Sequence, residues 1–460
     1  MRKLSGLLIT LVLLLISLAP AAAQDRVTIV WYIGLGTGAQ PEQQDAQQAV
    51  VDAFNASQDR IELVTNVVEN TVAYDTLSTL IAAGDAPDLI GPVGNDGANA
   101  FGDFWLDISP YLEEMSYDLT QFPEALVDFY RTPEGGLEGL PLATYPSMIF
   151  YRPDMFEEAG LNLPPSEYGE PYVMPDGTEV AWSVETLREI GMILTVDANG
   201  NDATMEGFDP ENIVQWGFDF QWYGDGRQIP NMWGAARLWN PDTDEAQLPE
   251  NWAAGYEWWY DGMWEDFFIP NAAQEGSDLL GAGNVFNSGN LAMAQTHLWY
   301  TCCIEGAEWN VAPIPSYEGV TTVRLHADTF RIYEGTEHPA EAVEVLTYLT
   351  GPAALDLLAV YGGMPAREDE QADFFAGLDE QFSQDVHWEV AQAGLQYADS
   401  PSHEAWFPNY LRGRDRVTQL ITLMNTTPGL DLGVEFASFV EDMQAIFDAW
   451  EGPELPSSGE

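Results

Sequence analysis

The sequence predicts an α/β fold built on a mostly parallel sheet. Three segments near 27–32, 61–68 and 87–90 are rich in β-branched and apolar residues, which is typical of strands. Two segments with helical periodicity lie between them, and strand–helix alternation of this kind produces a sheet with helices on its faces. The length of 460 residues and a hydrophobic content of 46% fit two or three domains with packed cores.

The elements follow in order. A strand is predicted at 27–32, a helix at 41–55, a strand at 61–68, a helix at 74–83 that Gly84 stops, and a strand from 87. Because ligands bind at the carboxyl ends of strands in such sheets, the loops at 34–40 and 92–99 should share one rim.

Later segments alternate less regularly. An aromatic helix is predicted at 252–264, where Trp252, Tyr256, Trp259 and Met263 recur at helical spacing, a pattern typical of core packing. The other predicted elements are strands at 148–151, 217–220, 311–314 and 321–326, a hairpin at 175–177, and helices at 183–194, 340–350, 414–424 and 434–450.

Residues 1–24 have the pattern of a cleavable secretory signal. Arg2 and Lys3 precede an apolar run at 4–18, and three alanines at 21–23 supply small residues for cleavage. The apolar run is short for a membrane span, and no cysteine lies near the cleavage point. We therefore expect an exported protein, periplasmic or extracellular, without direct membrane insertion and without a lipid anchor on an N-terminal cysteine.

The chain is intensely acidic, with 74 Asp and Glu against 15 Lys and Arg and a net charge of −59. A field of this sign repels phosphate backbones, so we expect no nucleic-acid partner. Adaptation to high salt and compositional drift explain the acidity equally well. Neither names a function.

Six segments, in order across nearly the whole chain, resemble the extracellular solute-binding proteins of bacterial ABC importers, in the large family that holds maltose- and oligosaccharide-binding proteins. The chain departs from the family pattern at Arg152 and Pro153, which replace an Asn-Lys pair, and in a longer 164–250 region. The matching segments are VTIVWY at 27–32, AAGDAPDLI at 82–90, LDISPY at 106–111, GLP at 139–141 with FYRPDMF at 150–156 and AGL at 159–161, FNSGNLAM at 286–293, and GGMPAR at 362–367.

The resemblance implies a two-lobed periplasmic-binding-protein fold (type II), with an interlobe ligand cleft and discontinuous lobes. The lobes would comprise 25–143 with 320–362, and 144–319 with 363–460, joined by crossings near 140–145, 318–325 and 362. It implies a non-catalytic protein that captures a carbohydrate, an oligosaccharide above all, and delivers it to the membrane permease subunits of an ABC transporter. We expect a monomer without a cofactor.

A sugar offers apolar C–H faces ringed by hydroxyls, so its site needs flat aromatic surfaces and polar partners. By position in the family pattern, Trp299, Trp406 and Tyr145 are candidate ligand contacts. Trp222 follows a predicted strand and supplies a further ring. The remaining candidates, placed on the rim loops and at the last crossing, are Asp96, Asn95, Gln40 and Gly362. A core position is the alternative for each ring.

Cys302 and Cys303 are adjacent and are the only cysteines. In an oxidising compartment they can bond to each other or to another molecule, and two reduced, buried thiols are the alternative. We favour a vicinal disulfide that braces Trp299 or touches the ligand.

The metal prediction is none, with one weak calcium candidate. Asp197, Asn199 and Asn201 place oxygens at alternating positions, but the loop glycine is misplaced and Phe208 stands at the twelfth position. An Asp/Asn turn explains the segment as well.

Two other functions stay open. Carboxylates and tryptophans also build the clefts of secreted carbohydrate-active hydrolases, although neither G-x-S-x-G nor H-E-x-x-H occurs. The same fold could instead bind a polyol, an amine or a peptide-like solute.

Overall fold

The computed structural model describes residues 26–452 except Asp103, Pro133, Glu134 and Ala307. The predicted secretory signal lies outside the described residues. Among the described residues, no single helix is long and apolar enough to cross a membrane, although the bent pair Pro339–Leu349 and Ala354–Tyr361 passes the same test by length and composition.

The strands form one large sheet and two small hairpins. The hairpin predicted at 175–177 is confirmed by the antiparallel pairing of Tyr172–Val173 with Glu179–Val180. The strands are β1 Val27–Ile33, β2 Ile61–Val67, β3 Leu89–Val93, β4 Ala143–Tyr151, β5 Tyr172–Val173, β6 Glu179–Val180, β7 Val196–Asp197, β8 Ile213–Phe220, β9 Trp239–Asn240, β10 Glu245–Ala246, β11 Leu291–His297, β12 Asn310–Ala312, β13 Leu325–Ile332 and β14 Met364–Pro365.

The large sheet runs β2-β1-β3-β13-β4-β11-β8-β7, and β12 and β14 also pair with β4. The prediction of a mostly parallel sheet holds for β1 with β2 and β3, and for β8 with β11. It is wrong for the centre, where β13 pairs antiparallel with β3 and β4, and β4 pairs antiparallel with β11. The centre is antiparallel because β13, which comes late in the chain, inserts between β3 and β4 and runs opposite to both.

β4 belongs to both halves of the molecule. Its residues 143–146 pair with β13, whereas residues 147–151 pair with β11 and residues 149–151 also with β12. β14 adds a third connection by pairing with the start of β4. The predicted crossings near 140–145, 318–325 and 362 border or overlap these three segments, and both the crossings and the domain boundaries stay predictions.

Helices cover both halves of the sheet. They are α1 Pro41–Ser57, α2 Asn70–Ala83, α3 Asn95–Asn99, α4 Ser109–Met115, α5 Glu124–Asp128, α6 Pro153–Glu158, α7 Val184–Leu194, α8 Glu250–Trp264, α9 Ala272–Glu275, α10 Pro339–Leu349, α11 Ala354–Tyr361, α12 Gln371–Gln381, α13 Glu389–Gly394, α14 Tyr410–Thr426 and α15 Leu432–Asp448. Short 3₁₀ turns include Leu298–Cys302 and Pro230–Trp233.

The aromatic helix α8 is a core element, as predicted. Trp252, Tyr256, Trp259 and Met263 are all at most 2% exposed. The strand predicted at 321–326 was wrong in position, because β13 begins only at Leu325 and Val323 makes an isolated bridge with Ala398 instead.

Candidate functional site

A cavity of about 430 Å³ opens where the two halves of the sheet meet. Its volume lies within the range of small-molecule sites. The walls come from the rim after β1 and β3, from β4 and β13, and from the turn 298–302. The lining includes Thr37, Gly94, Asp96, Tyr145, Trp299, Thr301, Cys302, His326, Asp328, Tyr361, Gly362 and Glu404.

Trp299 reaches this cavity from the 3₁₀ turn that follows β11. Its indole stacks parallel on Trp222, with ring centroids 5.7 Å apart and planes 7° apart. Trp222 is 40% exposed, has a positive φ of 57°, and donates from Nε1 to the Gly283 carbonyl at 2.8 Å. Trp222 therefore braces Trp299 and does not itself line the cavity.

The indole of Trp299 also fixes the protonation of His326. Trp299 Nε1 donates to His326 Nδ1 at 3.2 Å, and an indole N–H can only donate. The neutral His326 ring therefore carries its proton on Nε2, which faces Glu404 Oε1 at 3.3 Å. Burial lowers the pKa of His326 well below 6.5, with help from His403 and Arg324, so the ring is neutral at pH 7.

Three imidazoles meet behind the cavity although their sequence positions are scattered. His297 stacks on His326 at 3.7 Å between centroids, and His326 on His403 at 5.4 Å. Asp399 Oδ2 and His403 Nδ1 share a hydrogen bond of 2.7 Å, and burial raises the pKa of Asp399 to about 7.

His326, His403 and Glu404 bring potential metal-ligand atoms within 4.8 Å of one another. To bind a metal there, His326 Nε2 would need a free lone pair. Because Nδ1 accepts the hydrogen bond from Trp299, the proton of the neutral ring lies on Nε2, and Nε2 has no free lone pair. The hydrogen bond that His326 accepts from Trp299 therefore argues against a metal site at these three residues.

Asp96 joins the two halves across the cavity. Its Oδ1 accepts from Arg227 at 3.0 Å and from the Tyr410 hydroxyl at 2.7 Å, and its Oδ2 accepts from Arg414 at 2.9 Å. Burial alone would raise the pKa of Asp96, but Arg227 and Arg414 more than offset this and hold it below its usual value. A second carboxylate, Asp225, forms an ion pair with Arg227 at 2.6 Å, so two arginines face two aspartates in this cluster. A second cavity of about 350 Å³ adjoins this cluster.

The two cysteines are bonded to each other, as predicted, across adjacent Cα atoms 3.8 Å apart. Cys302 is exposed and lines the cavity, and Cys303 packs on the core. Asn287 Nδ2 donates to the Cys303 carbonyl at 2.6 Å and ties the loop to the segment before β11. The disulfide therefore forms part of the same wall as Trp299.

The other predicted site residues fall in three places. Tyr145 and Gly362 line the main cavity. Asn95 and Trp406 line a separate cavity of about 200 Å³, where Asn95 Oδ1 accepts from Arg331 at 2.9 Å and Trp406 packs edge-on against Trp239. Gln40 is exposed at the start of α1 and lines none of these cavities.

The calcium candidate is a turn. The carboxylate of Asp197 accepts from the backbone of Asn199, Asn201 and Asp209 at 2.8–2.9 Å, and from the Asn201 side chain at 3.1 Å. Burial works to raise the pKa of Asp197, but these donors lower it to about 2. Because N–H groups face the carboxylate, the Asp/Asn turn is favoured over calcium.

Sequence reasoning missed His326, Asp328 and Glu404 in the cavity wall, and it missed Arg227 and Arg414, which pair with Asp96. None of them lies in a segment whose spacing indicated a role. They meet only because β13, α14 and the loop before α14 converge on the rim after β3.

Comparison with known proteins gives a family match over part of the chain. The family model of bacterial extracellular solute-binding proteins matches residues 38–181. Putative binding proteins of Brucella abortus and Brucella suis are 29% identical over 175 residues, which is 36% of this chain and 38% of theirs. The matched segment thus spans under two fifths of the length of these curated relatives.

Solved structures match over nearly the whole chain. UspC of M. tuberculosis gives a TM-score of 0.68 at 20% identity, covering 91% of this chain and all of its own. The sugar-binding protein MalE of Xanthomonas citri gives 0.67 at 15%, covering 92% and 98%. The substrate-binding protein Lmo0181 of Listeria monocytogenes, in complex with cycloalternan, gives 0.66 at 15%, covering 92% and 99%.

The fold is therefore that of the two-domain binding proteins of ABC importers. The resemblance to bacterial extracellular solute-binding proteins that the sequence motifs indicated is confirmed by the family match over residues 38–181. The solved structures confirm the two-lobed fold that this resemblance implied.

Proposed function

We propose that this protein captures a carbohydrate between its two halves and delivers it to the permease of an ABC transporter. The observation that carries the proposal is the 430 Å³ cavity, whose walls come from both halves and combine aromatic rings with hydrogen-bonding groups. Trp299 and Tyr145 supply the rings, and Asp328, Glu404 and Thr37 supply polar groups. This combination suits a guest with apolar C–H faces and a rim of hydroxyls.

Capture would proceed by closure of the two halves. β4 and β13 connect them, so a small change of backbone angles in these strands would swing one half against the other. The Asp96 cluster would form as the halves approach and would favour the closed form. The named neighbours that bind sugars or cycloalternan support a carbohydrate ligand. The closed shape would dock on the permease, and catalysis forms no part of the proposed activity.

The test is isothermal titration calorimetry against mono-, di- and oligosaccharides of several linkages, with product analysis of the same mixtures. We expect saturable binding of at least one sugar and its recovery unchanged. A panel in which nothing binds would contradict the proposal. Release of shorter sugars would instead favour the hydrolase, to which the carboxyl groups of Asp328 and Glu404 in one cavity give some support.

A further inference from the structure

Asp328 enters the cavity from β13, at the point where that strand pairs with the start of β4. Its backbone is held in the ladder opposite Ala143, and its carbonyl accepts from the Leu142 N–H at 3.1 Å. Among residues 26–452 with the four gaps given above, no side chain donates a hydrogen bond to its carboxylate and no cation pairs with it. Asp328 therefore lines the cavity with a carboxylate that has no hydrogen-bond donor or cation partner among these residues.

Asp328 lies within electrostatic range of three tyrosines. The charge of Asp328 adds to the effect of burial in raising the pKa values of Tyr130, Tyr145 and Tyr361. Tyr145 and Tyr361 line the cavity beside it. Burial raises the pKa of Asp328 itself to about 6. An ionised carboxylate in aromatic surroundings without a counter-charge is unfavourable unless a ligand supplies one.

The remaining charges near the cavity supply no such counter-charge. No Arg or Lys is found among the described residues that line it. The nearby guanidinium groups of Arg227 and Arg414 are committed to Asp96, and Arg227 also to Asp225. His326 is neutral and points its proton at Glu404. The cavity is therefore complementary to a positive charge.

We propose that Asp328 anchors a positively charged group of the ligand, and that the substrate class is an amine-bearing sugar. The proposal rests on the proposed function and narrows it. A sugar with an ammonium group would place its apolar face on the rings and its charge on Asp328, where neighbouring tyrosines add a cation–π contribution. A neutral sugar would satisfy the hydrogen bonds but leave the charge uncompensated.

The experiment compares glucosamine, glucose and N-acetylglucosamine, each as the free sugar and as its β-1,4-linked disaccharide, by calorimetry at pH 7. These sugars share ring geometry and differ in the group at C2, which is charged only in glucosamine. With the native protein we expect the amine-bearing sugar to bind about tenfold or more tighter than its neutral counterparts. Because this comparison needs no variant, it does not depend on the folding of any mutant.

The Asp328→Asn variant tests the residue. It keeps the side-chain shape and removes the charge, so it should abolish the preference for the amine while neutral sugars change by less than about threefold. The control is Asp45→Asn on the exposed face of α1, which makes the same change in net charge away from the cavity and should leave both affinities unchanged. Melting temperatures of both variants verify folding.

The outcomes separate the two proposals. If neutral sugars bind as tightly as their amine-bearing counterparts, or if Asp328→Asn weakens both classes equally, the amine assignment is overturned and the proposed function stands. If no sugar of either class binds, the proposed function fails and this inference fails with it.

Discussion

The side chain of Trp299 has three roles: it stacks on Trp222, donates a hydrogen bond to His326, and lines the cavity. Trp299→Ala removes all three, and we expect ligand affinity to fall about tenfold to a hundredfold. Trp299→Phe keeps an aromatic face but loses the N–H donor, so the fall should be smaller, about threefold to tenfold. Calorimetry with the best sugar of the panel measures both. Equal losses in the two variants would show that stacking contributes little.

Asp328 also makes the stability of the ligand-free protein depend on pH. Its pKa is about 6 in the folded protein against an ordinary 3.8, so the folded state binds this proton more tightly. The stabilising contribution is complete below pH 3.8 and is lost as the pH rises through 6. Ionised Asp328, which burial disfavours, then costs roughly 3 kcal/mol at most.

We therefore expect Asp328→Asn to raise the melting temperature at pH 7.5 and to have little effect at pH 4, as measured by differential scanning calorimetry without ligand. Asp45→Asn, which removes an exposed charge, provides the comparison. A variant that is less stable than the native protein at pH 7.5 would contradict the raised pKa. Gain of stability on loss of a binding group is the usual trade-off at functional sites.

At the scale of elements, the loop between α7 and β8 is stabilised by one carboxylate. Asp197 is 1% exposed and accepts four hydrogen bonds from N–H groups of the loop. Asp197→Ala leaves those donors unsatisfied, so we expect the melting temperature to fall by several degrees. Since N–H groups already face the carboxylate, neither calcium nor a chelator should shift the melting temperature of the native protein. A clear rise with calcium would revive the cation interpretation.

The elements were largely predictable because their patterns are local. The strands near 27 and 61, the helix from 41, and the aromatic helix α8 follow from residue type and periodicity alone. The position of β13 was missed because Thr321 to Arg324 have the composition of a strand, but only residues from Leu325 onward meet partners on β3 and β4.

The site was predictable only in part, for a physical reason. Trp299, Tyr145, Cys302 and Gly362 lie within or beside family motifs, and all four line the main cavity. The two arginine partners of Asp96 were not predictable, because Arg227 and Arg414 are more than 130 and 310 residues away from it in sequence. Long-range pairs of this kind arise from the crossing topology and leave no local pattern.

At the scale of the whole molecule, the Asp96 cluster is a charged link between the rim after β3 and the segments that carry Arg227 and Arg414. Asp96→Asn removes the charge that pairs with Arg414, while Arg227 keeps Asp225. We expect the variant to favour a more open form, with a larger radius of gyration in X-ray scattering and about tenfold weaker sugar binding. Asp45→Asn should change neither quantity. Unchanged scattering and affinity in Asp96→Asn would show that the cluster does not influence closure.

The shared strand β4 has a consequence for how this chain can be divided. β13 lies between β3 and β4 in the sheet, although it begins at Leu325 and β4 ends at Tyr151. A fragment that ends before residue 325 therefore lacks the strand that pairs with both of them. With the lobe boundaries predicted from the sequence, neither half would be a contiguous piece of polypeptide. Exchanging one half with that of a relative by recombination would therefore require several simultaneous breakpoints, which favours inheritance of both halves as one unit.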